Sequence, residues 1–305
     1  MGAMEQYPKT MFEFEQNFAT EEACQEYLYQ LRWPEGFVCP RCNHRKAWRT
    51  DRRQFHCRQC KYRISITAGT IFQDTRLPLR MWFRAIWQVV SQKNGISALG
   101  LKRVLGLRSY QTTWLMMHKL RKAMVRPGRD RLVGPVQVDE IYIGGPRPGK
   151  RGRGAAGKTL VLVAVEDRDG RSGRIRLHKI KNASGASLIP VVENSVEPKG
   201  EIRTDTWEGY NGLPSSGYTR TIIRKTADIG DNLLPLANRV ASLLKRWLIG
   251  THQGKPAPSH LNYYLDEFVF RFNRRTSGSR GLLFYRLAQQ AVSIKPLKGN
   301  EITVA

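Results

Sequence analysis

The sequence is short of acidic residues and of long apolar runs. Its 305 residues hold 25 Asp and Glu against 51 Lys and Arg, a formal net charge of +26. No apolar run approaches the roughly 18 residues that span a bilayer, and the N-terminus lacks the basic-then-apolar pattern of a secretion signal. We therefore expect a soluble, intracellular protein whose partner is a polyanion, most simply nucleic acid. A ribosome-like binder and a membrane-surface protein are the alternatives.

Cysteine is also scarce, and four of the five cysteines fall in one motif. Cys39, Cys42, Cys57 and Cys60 form two CxxC pairs, CPRC and CRQC, with 14 residues between them. Two such pairs across a short loop can hold one tetrahedral Zn²⁺ through four thiolates. Disulfides are the alternative, but the missing secretion signal and the odd Cys24 argue against them. We predict one structural zinc ion and a buried, apolar role for Cys24.

The cysteines lie in a basic segment with interleaved aromatic residues. Residues 37–77 are predicted as a zinc ribbon, after a helical N-terminal segment over 1–36. Between Arg41 and Arg63 there are nine Lys and Arg and one acidic residue. Zinc ribbons bind DNA, RNA or protein, so the fold alone does not identify the partner. Charge makes these ribbon residues candidate DNA contacts: Arg52, Arg53, Arg58, Lys61 and Arg63.

Residues 78–126 are predicted as a helix-turn-helix DNA-binding domain. Apolar side chains at helical spacing predict a first helix over 79–94. Ser97 can cap a second helix that ends at Gly106, and Ser109 can cap a longer, basic third helix. A plain three-helix bundle between domains is the alternative. The candidate DNA-facing residues of the third helix are Thr112, Thr113, His118, Lys119, Arg121 and Lys122.

The fold class predicted for the rest is α/β, with an RNase H-like domain over 127–295 and a tail over 296–305. A strand, a hairpin, a helix, two further strands and helices over 235–249 and 259–273 succeed one another. The first two strands are joined by the loop 144–158, which has five Lys and Arg, six Gly and no acid. This loop is either solvated or in contact with phosphates, and its candidate DNA contacts are Arg147, Lys150, Arg151 and Arg153.

Two aspartates lie where a charge is costly unless something pairs with it. Asp139 is inside an apolar strand, and Asp205 is at the end of another. Aspartates on neighbouring strands could hold Mg²⁺, and two such ions support phosphodiester chemistry. Glu140 alternates to the opposite face of its strand and is a weaker candidate. Strand-end or turn roles are the alternative for both aspartates.

Two residues compete to be the third ligand. Asn238 begins the stretch NRVASLLKRW, after 32 intervening residues from Asp205. Lys245 follows two helical turns later on the same polar face, where it could contact a phosphate. Asn238 could instead be only a helix cap. Glu267 is the rival ligand, although Arg271 at +4 first suggests an ion pair on a basic helix edge.

Five stretches together resemble bacterial insertion-sequence transposases of the ISXO-type, zinc-ribbon branch. They are CPRC…CRQC, RISITAGTIFQDTRLPLRMWFRAIW, VDEIYIGG, KRWLIGTH and LDEFVFRFNRR. The resemblance covers the chain from about Phe37 to about Val292. It implies an RNase H-like catalytic domain that uses two divalent metal ions, Mg²⁺ or Mn²⁺, to cut and join DNA at element ends. The implied D, D, N triad and following Lys are Asp139, Asp205, Asn238 and Lys245.

The resemblance also implies a Glu with Arg at +4 and +7, here Glu267, Arg271 and Arg274. With Arg275, these arginines are candidate DNA contacts. The implied partners are transposon ends and target DNA, bound by a homodimer in the bacterial cytoplasm at the nucleoid. A DNA-binding regulator with an inactive RNase H-like scaffold and a metal-dependent nuclease without strand transfer are the alternative functions.

Overall fold

The computed structural model describes residues 6–50, 54–144, 158–226, 230, 232–254 and 256–303. The chain divides into two compact units, each with its own core. The first comprises Met1–Arg126 and Ser277–Ala305, and the second comprises Pro127–Thr276. None of the helices in the described ranges is long and apolar enough to cross a membrane.

The elements are numbered in chain order. The helices are α1 (Met11–Asn17), α2 (Glu21–Arg32), α3 (Leu79–Ser91), α4 (Ala98–Leu105), α5 (Tyr110–Ala123), α6 (Gly185–Ser195), α7 (Pro235–His252), α8 (Leu261–Asn273), α9 (Arg280–Ser293) and α10 (Gly299–Thr303). The strands are β1 (Ala47–Arg49), β2 (Gln54–Cys57), β3 (Arg63–Ser65), β4 (Val136–Ile143), β5 (Thr159–Arg168), β6 (Arg171–Ile180), β7 (Glu201–Thr204) and β8 (Thr219–Ile222).

The first unit contains the predicted ribbon and the predicted helices. Strands β1, β2 and β3 form an antiparallel sheet in that order. The Ser97 hydroxyl accepts from Gly100 N at 3.0 Å at the start of α4, and Gly106 ends that helix with a left-handed φ of 65°. Ser109 caps α5 in the same way. These local signals confirm the helix boundaries expected from the sequence.

Helix α9 lies outside the unit that carries the rest of the predicted catalytic domain. Residues 277–295 belong to the first unit, whereas the sequence places them in the domain 127–295. The buried Phe284 of α9 lies 5.4 Å from Phe14 and 5.6 Å from Phe83, measured between ring centroids. Aromatic packing of this kind holds α9 in the core of the first unit, and sequence periodicity does not reveal such a distant partner.

The second unit is built on a five-stranded mixed sheet in the order β6-β5-β4-β7-β8. Strands β4, β5 and β6 pair antiparallel, whereas β7 pairs parallel with both β4 and β8. Strand β5 is almost entirely buried because helices cover both faces of the sheet, which explains its unbroken apolar run. This mixed α/β architecture is RNase H-like, as predicted.

The two faces of the sheet have separate cores. Val136 and Val138 pack on the α6 face, while Ile141 packs on the face covered by α7 and α8. The predicted hairpin between β5 and β6 turns at Asp169 and Gly170, which have φ values of 53° and 74°. Two successive positive φ values are the geometry of a tight two-residue hairpin turn, and Gly170 adopts it without strain.

Candidate active site

The four cysteines of the CxxC pairs converge on one point. Their sulfur atoms all lie within 4.8 Å of one another, with Cys39 Sγ 3.6 Å from Cys60 Sγ and Cys42 Sγ 3.5 Å from Cys57 Sγ. A disulfide would need about 2.05 Å, whereas ligands at about 2.3 Å around one tetrahedral zinc ion stand nearly 4 Å apart. The thiolate set therefore fits Zn²⁺ and does not fit disulfides.

Two matching turns present these cysteines. In the first, Asn43 N donates to Cys39 O at 2.9 Å, and in the second Lys61 N donates to Cys57 O at 3.1 Å. Asn43 and Lys61 both have a φ of 58°. Cys24 lies apart from the site, fully buried on α2, and burial, followed by the charge of Glu21, raises the pKa of its thiol to about 12. Cys24 is thus an inert core residue, as expected.

The basic face of the ribbon is accessible where the structure describes it. Arg58, Lys61 and Arg63 are exposed, and Lys61 Nζ lies 5.0 Å from the ring centroid of the exposed Trp48. The other candidate DNA contacts of the ribbon and of the basic loop lie outside the described residues: Arg52, Arg53, Arg147, Lys150, Arg151 and Arg153.

Helix α5 corrects part of the predicted DNA-facing surface. Thr112 and Lys122 are exposed and Lys119 is half-buried. Thr113, His118 and Arg121 are buried, so the expectation that they face DNA is wrong.

The cause is the helical period, which places several polar residues on the packed side of α5. Thr113 lies on the same face as the buried Met117 and Leu120, and its hydroxyl donates to Ser109 O at 3.1 Å. Sequence reasoning also missed the exposed residues at the start of the helix, Arg108, Tyr110 and Gln111. Their position immediately before Thr112 was the available signal.

Asp139 lies on β4, and Asp205 directly follows the neighbouring parallel strand β7. Val136 pairs with Ile202, and Gln137 pairs with Arg203, an offset of 66 residues. Continued by two residues, the same offset would bring Asp205 opposite Asp139. Neighbouring strands lie about 4.8 Å apart, so the two side chains share one face at the carboxyl end of the parallel pair.

The buried Tyr210 lies near these carboxylates. Its hydroxyl donates to Glu140 Oε2 at 2.7 Å on the α6 face of the sheet. Burial, then Glu140, and then the charges of Asp139 and Asp205 raise the pKa of this phenol well above its ordinary value. One buried group therefore lies in the electric field of all three carboxylates. Glu140 points away from the aspartate pair, as strand alternation predicts.

Helix α7 is docked beside the aspartates through Gln137. Gln137 Oε1 accepts from Leu236 N at 3.0 Å and from Ala237 N at 3.4 Å, at the start of the helix. Gln137 is two residues from Asp139 and therefore on the same face of β4. The next residue of the helix, Asn238, is exposed. Helix α7 therefore packs on the face of the sheet that carries Asp139, with Asn238 at an exposed position near its start.

Asn238 is an interior residue of α7, which corrects the helix-cap alternative. The helix begins at Pro235, Leu234 is the cap residue, and Asn238 N donates to Leu234 O at 2.9 Å. The amide nitrogen of Asn238 donates to Asn232 Oδ1 at 2.8 Å, which orients the amide. Lys245 is exposed two turns further along. Two carboxylates and one amide oxygen are hard oxygen donors and suit Mg²⁺ or Mn²⁺.

The structure argues against Glu267 as the third ligand. Its side chain is fully buried on α8, and Arg271 Nε lies 3.0 Å from Glu267 Oε1. Among the described Asp, Glu, His and Cys residues, the four ribbon cysteines form the one group of three or more that could hold a metal ion. Glu267 therefore does not join Asp139 and Asp205, and its ion pair with Arg271 is structural.

The arginines near the end of α8 already have partners within the second unit. Arg271 is only 14% exposed beside Glu267. The guanidinium carbons of Arg274 and Arg275 each lie 4.1 Å from the ring centroid of a phenylalanine of α8. Arg275 also donates to Ser172 O and Gly173 O on β6. These contacts fix α8 against the hairpin, so a DNA role for the three arginines stays a prediction.

Comparison with known families identifies the chain. Residues 131–273 match the ISXO2-like transposase domain, and residues 19–63 match the transposase zinc-ribbon domain. The chain is therefore a transposase with a zinc-ribbon domain and an ISXO2-like transposase domain. The domain match spans β4 to α8 and includes both aspartates, Asn238 and Lys245.

Two individual proteins resemble the transposase. An uncharacterized protein in transposable element ISH50 of Halobacterium salinarum is 25% identical over 276 residues, which are 83% of this chain and 91% of that protein. A cryo-electron microscopy structure of the simian T-cell lymphotropic virus intasome with PP2A regulatory subunit B56 gamma is 13% identical. The match covers 59% of this chain and 66% of the chain in that structure, with a TM-score of 0.30.

The zinc-ribbon domain of the transposase begins earlier than residue 37. The family match starts at residue 19 and so includes α2. Arg32 at the end of α2 donates to Ser65 O at 3.1 Å and Ile66 O at 2.6 Å, next to β3. The ring of Trp33 lies 5.2 Å from that of Phe55 on β2. Helix α2 and the ribbon therefore share a core.

Proposed function

We propose that this transposase cleaves phosphodiester bonds at transposon ends and joins the resulting 3′-OH to target DNA, with two divalent metal ions. The observation that supports the proposal is the register of β4 and β7, which would bring Asp205 opposite Asp139 if it continued past Thr204. Helix α7, docked on Gln137, adds Asn238 to the same face. Two carboxylates and an amide oxygen are a donor set that suits such chemistry.

Each residue of the site has a definite role in this proposal. When bound, two Mg²⁺ ions would activate the attacking oxygen and stabilise the leaving oxygen. Asp139, Asp205 and Asn238 would hold the two ions. Lys245 is exposed, carries a positive charge and would bind a phosphate of the reacting strand. No serine or tyrosine nucleophile is required, because the attacking groups are water and then the 3′-OH.

The first unit supplies most of the proposed DNA contacts. The net charge of +26 favours DNA through phosphate neutralisation. Exposed cations lie on the ribbon at Arg58, Lys61 and Arg63 and on α5 at Lys122. We propose that these residues bind transposon ends and that two copies of the chain assemble on DNA, because ends are joined in pairs.

A strand-transfer assay with pre-cut transposon ends, target DNA and Mg²⁺ tests this function. We expect joined products from the natural protein. Asp139→Ala should lower joining by at least about 1,000-fold, the scale lost when one essential group of a catalytic set is removed, and should keep DNA binding. Cleavage without joining would indicate the nuclease, and binding alone would indicate the regulator. Full joining by Asp139→Ala would refute the metal site.

A further inference from the structure

Arg220 on the edge strand β8 binds the segment that carries Asp205. Its Nε donates to Thr204 Oγ1 at 2.9 Å, and its Nη1 donates to Asn211 Oδ1 at 2.6 Å. Its Nη2 donates to the main-chain carbonyls of Asp205 at 3.0 Å and Trp207 at 2.9 Å. One guanidinium therefore satisfies four acceptors between residues 204 and 211.

These hydrogen bonds act where the sheet no longer holds the chain. Strand β7 ends at Thr204, one residue before Asp205. Asp205 Oδ1 accepts from Trp207 N at 2.9 Å, so the direction of the carboxylate depends on the backbone at Trp207. Arg220 binds the carbonyls of both residues and therefore sets the position and the orientation of the carboxylate.

Arg220 is also connected to the strand that carries Asp139. Its guanidinium carbon lies 5.8 Å from the ring centroid of Tyr210. The Tyr210 hydroxyl donates to Glu140 Oε2 at 2.7 Å, and Glu140 is adjacent to Asp139 on β4. The contacts of Arg220 and Tyr210 thus join the segment after β7 to β4, the two pieces of chain whose aspartates face each other.

We propose that Arg220 is a positioning residue that holds Asp205 opposite Asp139 for metal binding. This inference rests on the proposed function of that site. Lysine cannot replace arginine here, because an ammonium group donates from a single point and lacks the planar fork that reaches four separate acceptors. A phosphate contact, by contrast, would tolerate lysine, since it requires mainly the positive charge.

The experiment is cleavage of transposon-end DNA by the full chain, measured as a function of Mg²⁺ and Mn²⁺ concentration. We compare the natural protein with Arg220→Lys and Arg220→Gln. We expect both variants to need at least about 10-fold more Mg²⁺ for half-maximal rate, the scale of effect for residues that orient metal ligands. High Mn²⁺ should restore most of the maximal rate, and DNA affinity of Arg220→Lys should not change.

Arg176→Lys is the matched control. Arg176 is a buried arginine of β6 in the same sheet and also donates to main-chain carbonyls, those of Ile175 and Asp130. We expect it to lower the melting temperature and leave the metal requirement unchanged. If the Arg220 variants do not fold, Asn211→Ala tests the same contact, because it removes one acceptor of Arg220 and leaves Thr204 and Asp205 unchanged. It should raise the Mg²⁺ requirement in the same direction by a smaller factor.

The outcomes separate this inference from the proposed function. An unchanged metal requirement in the Arg220 variants, while Asp205→Asn abolishes cleavage, would overturn the positioning role and leave the metal site standing. Weak DNA binding by Arg220→Gln with full rescue by Arg220→Lys would make Arg220 a phosphate contact instead. Unchanged metal-dependent cleavage by Asp205→Asn would overturn both.

Discussion

Single polar residues in apolar surroundings carry most of the chemistry of this protein, and their partners decide what each one does. Asp139 lies on β4, and Asp205 follows the neighbouring parallel strand β7. Glu267 is paired with Arg271 inside the core. Both kinds of carboxylate look alike in the sequence, because each follows or interrupts an apolar run. They differ in burial, because the Glu267 side chain is fully buried whereas Asp139 and Asp205 are half-buried.

The first residue-scale prediction separates the two candidates for the third ligand. Asn238→Ala should raise the Mg²⁺ concentration needed for half-maximal joining by at least about 10-fold, because an oxygen donor is lost beside the aspartates. Glu267→Gln is the comparison: it leaves Arg271 without its carboxylate and should lower stability while the Mg²⁺ requirement stays unchanged. The measurements are metal titrations of joining and urea unfolding. A higher Mg²⁺ requirement for Glu267→Gln than for Asn238→Ala would reverse the assignment.

Glu166 on β5 is a buried carboxylate with a structural role. Arg174 Nη2 lies 2.8 Å and Arg168 Nη2 2.9 Å from its oxygens, and Val133 N donates to it at 3.1 Å. Burial alone raises the pKa of Glu166. Its effect is outweighed by hydrogen bonds from the side chain and backbone of Arg174 and from the backbone of Val133, together with the positive charge of Arg174. The pKa is held below the ordinary value of 4.5.

A depressed pKa in the folded protein contributes stability above the ordinary value, and this contribution is lost as the pH falls through the folded pKa. Glu166→Gln should therefore lower the free energy of unfolding by about 3 kcal/mol at pH 7 and flatten its decline below about pH 4. Urea unfolding as a function of pH measures both effects.

Glu201→Gln is the control for Glu166→Gln, because its side chain is 35% exposed beside Arg203. This substitution should lower the free energy of unfolding by less than about 1 kcal/mol. The prediction would be contradicted if the free energy of unfolding declined at low pH as steeply in Glu166→Gln as in the natural protein.

At the scale of elements, local chemistry sets most boundaries. Serine caps start α4 and α5, Gly106 ends α4, and Asp169 with Gly170 turns the β5–β6 hairpin. The zinc ribbon is the element that depends most on a cofactor. Its strands are only three or four residues long, so the metal must supply much of the stabilisation that a core this small cannot.

The element-scale prediction concerns this metal. The natural protein should contain about one zinc ion per chain, and Cys57→Ser should lose it. The variant should also bind transposon-end DNA more weakly. Cys24→Ser is the matched control: its cysteine is fully buried but lies outside the cluster, so the zinc should stay bound. Metal content by mass spectrometry and DNA binding by fluorescence anisotropy are the readouts. Stoichiometric zinc in Cys57→Ser would contradict the four-thiolate site.

At the scale of the whole molecule, excess positive charge is the dominant feature. The chain carries twice as many basic as acidic residues, and several exposed cations of the first unit have no acidic partner among the described residues, Lys61 and Lys122 being examples. Such charges favour DNA by releasing counterions, which makes affinity fall steeply with salt. The sequence alone establishes this property, since it depends on composition more than on fold.

The whole-molecule prediction is a salt titration of DNA binding. Lys61→Asn should reduce the slope of log affinity against log salt by about 0.9, the value for one phosphate contact. Asparagine is chosen because Asn43 already holds the same left-handed position in the other cysteine turn. Arg84→Gln is the control, because Arg84 Nη2 is ion-paired with Glu15 Oε2 at 2.7 Å. An unchanged slope in Lys61→Asn would remove that residue from the proposed interface.

The sequence by itself determined what depends on local spacing. Paired cysteines, capping serines, strand alternation at Asp139 and the two-turn step from Asn238 to Lys245 are all properties of a few consecutive residues. The family resemblance added the choice of Asp139, Asp205 and Asn238 as a set. The resulting expectations of a ribbon and an RNase H-like domain are confirmed, and the catalytic set stays a prediction.

Only the tertiary structure decided which of these residues meet and which are buried. Burial of Thr113 and Arg121 depends on the elements that cover one side of α5. The return of α9 to the first unit depends on Phe284 packing against residues more than 200 positions away. The four hydrogen bonds of Arg220 depend on β8 lying beside β7. The physical reason is common to all three, because each contact joins distant parts of the chain and leaves no local period in the sequence.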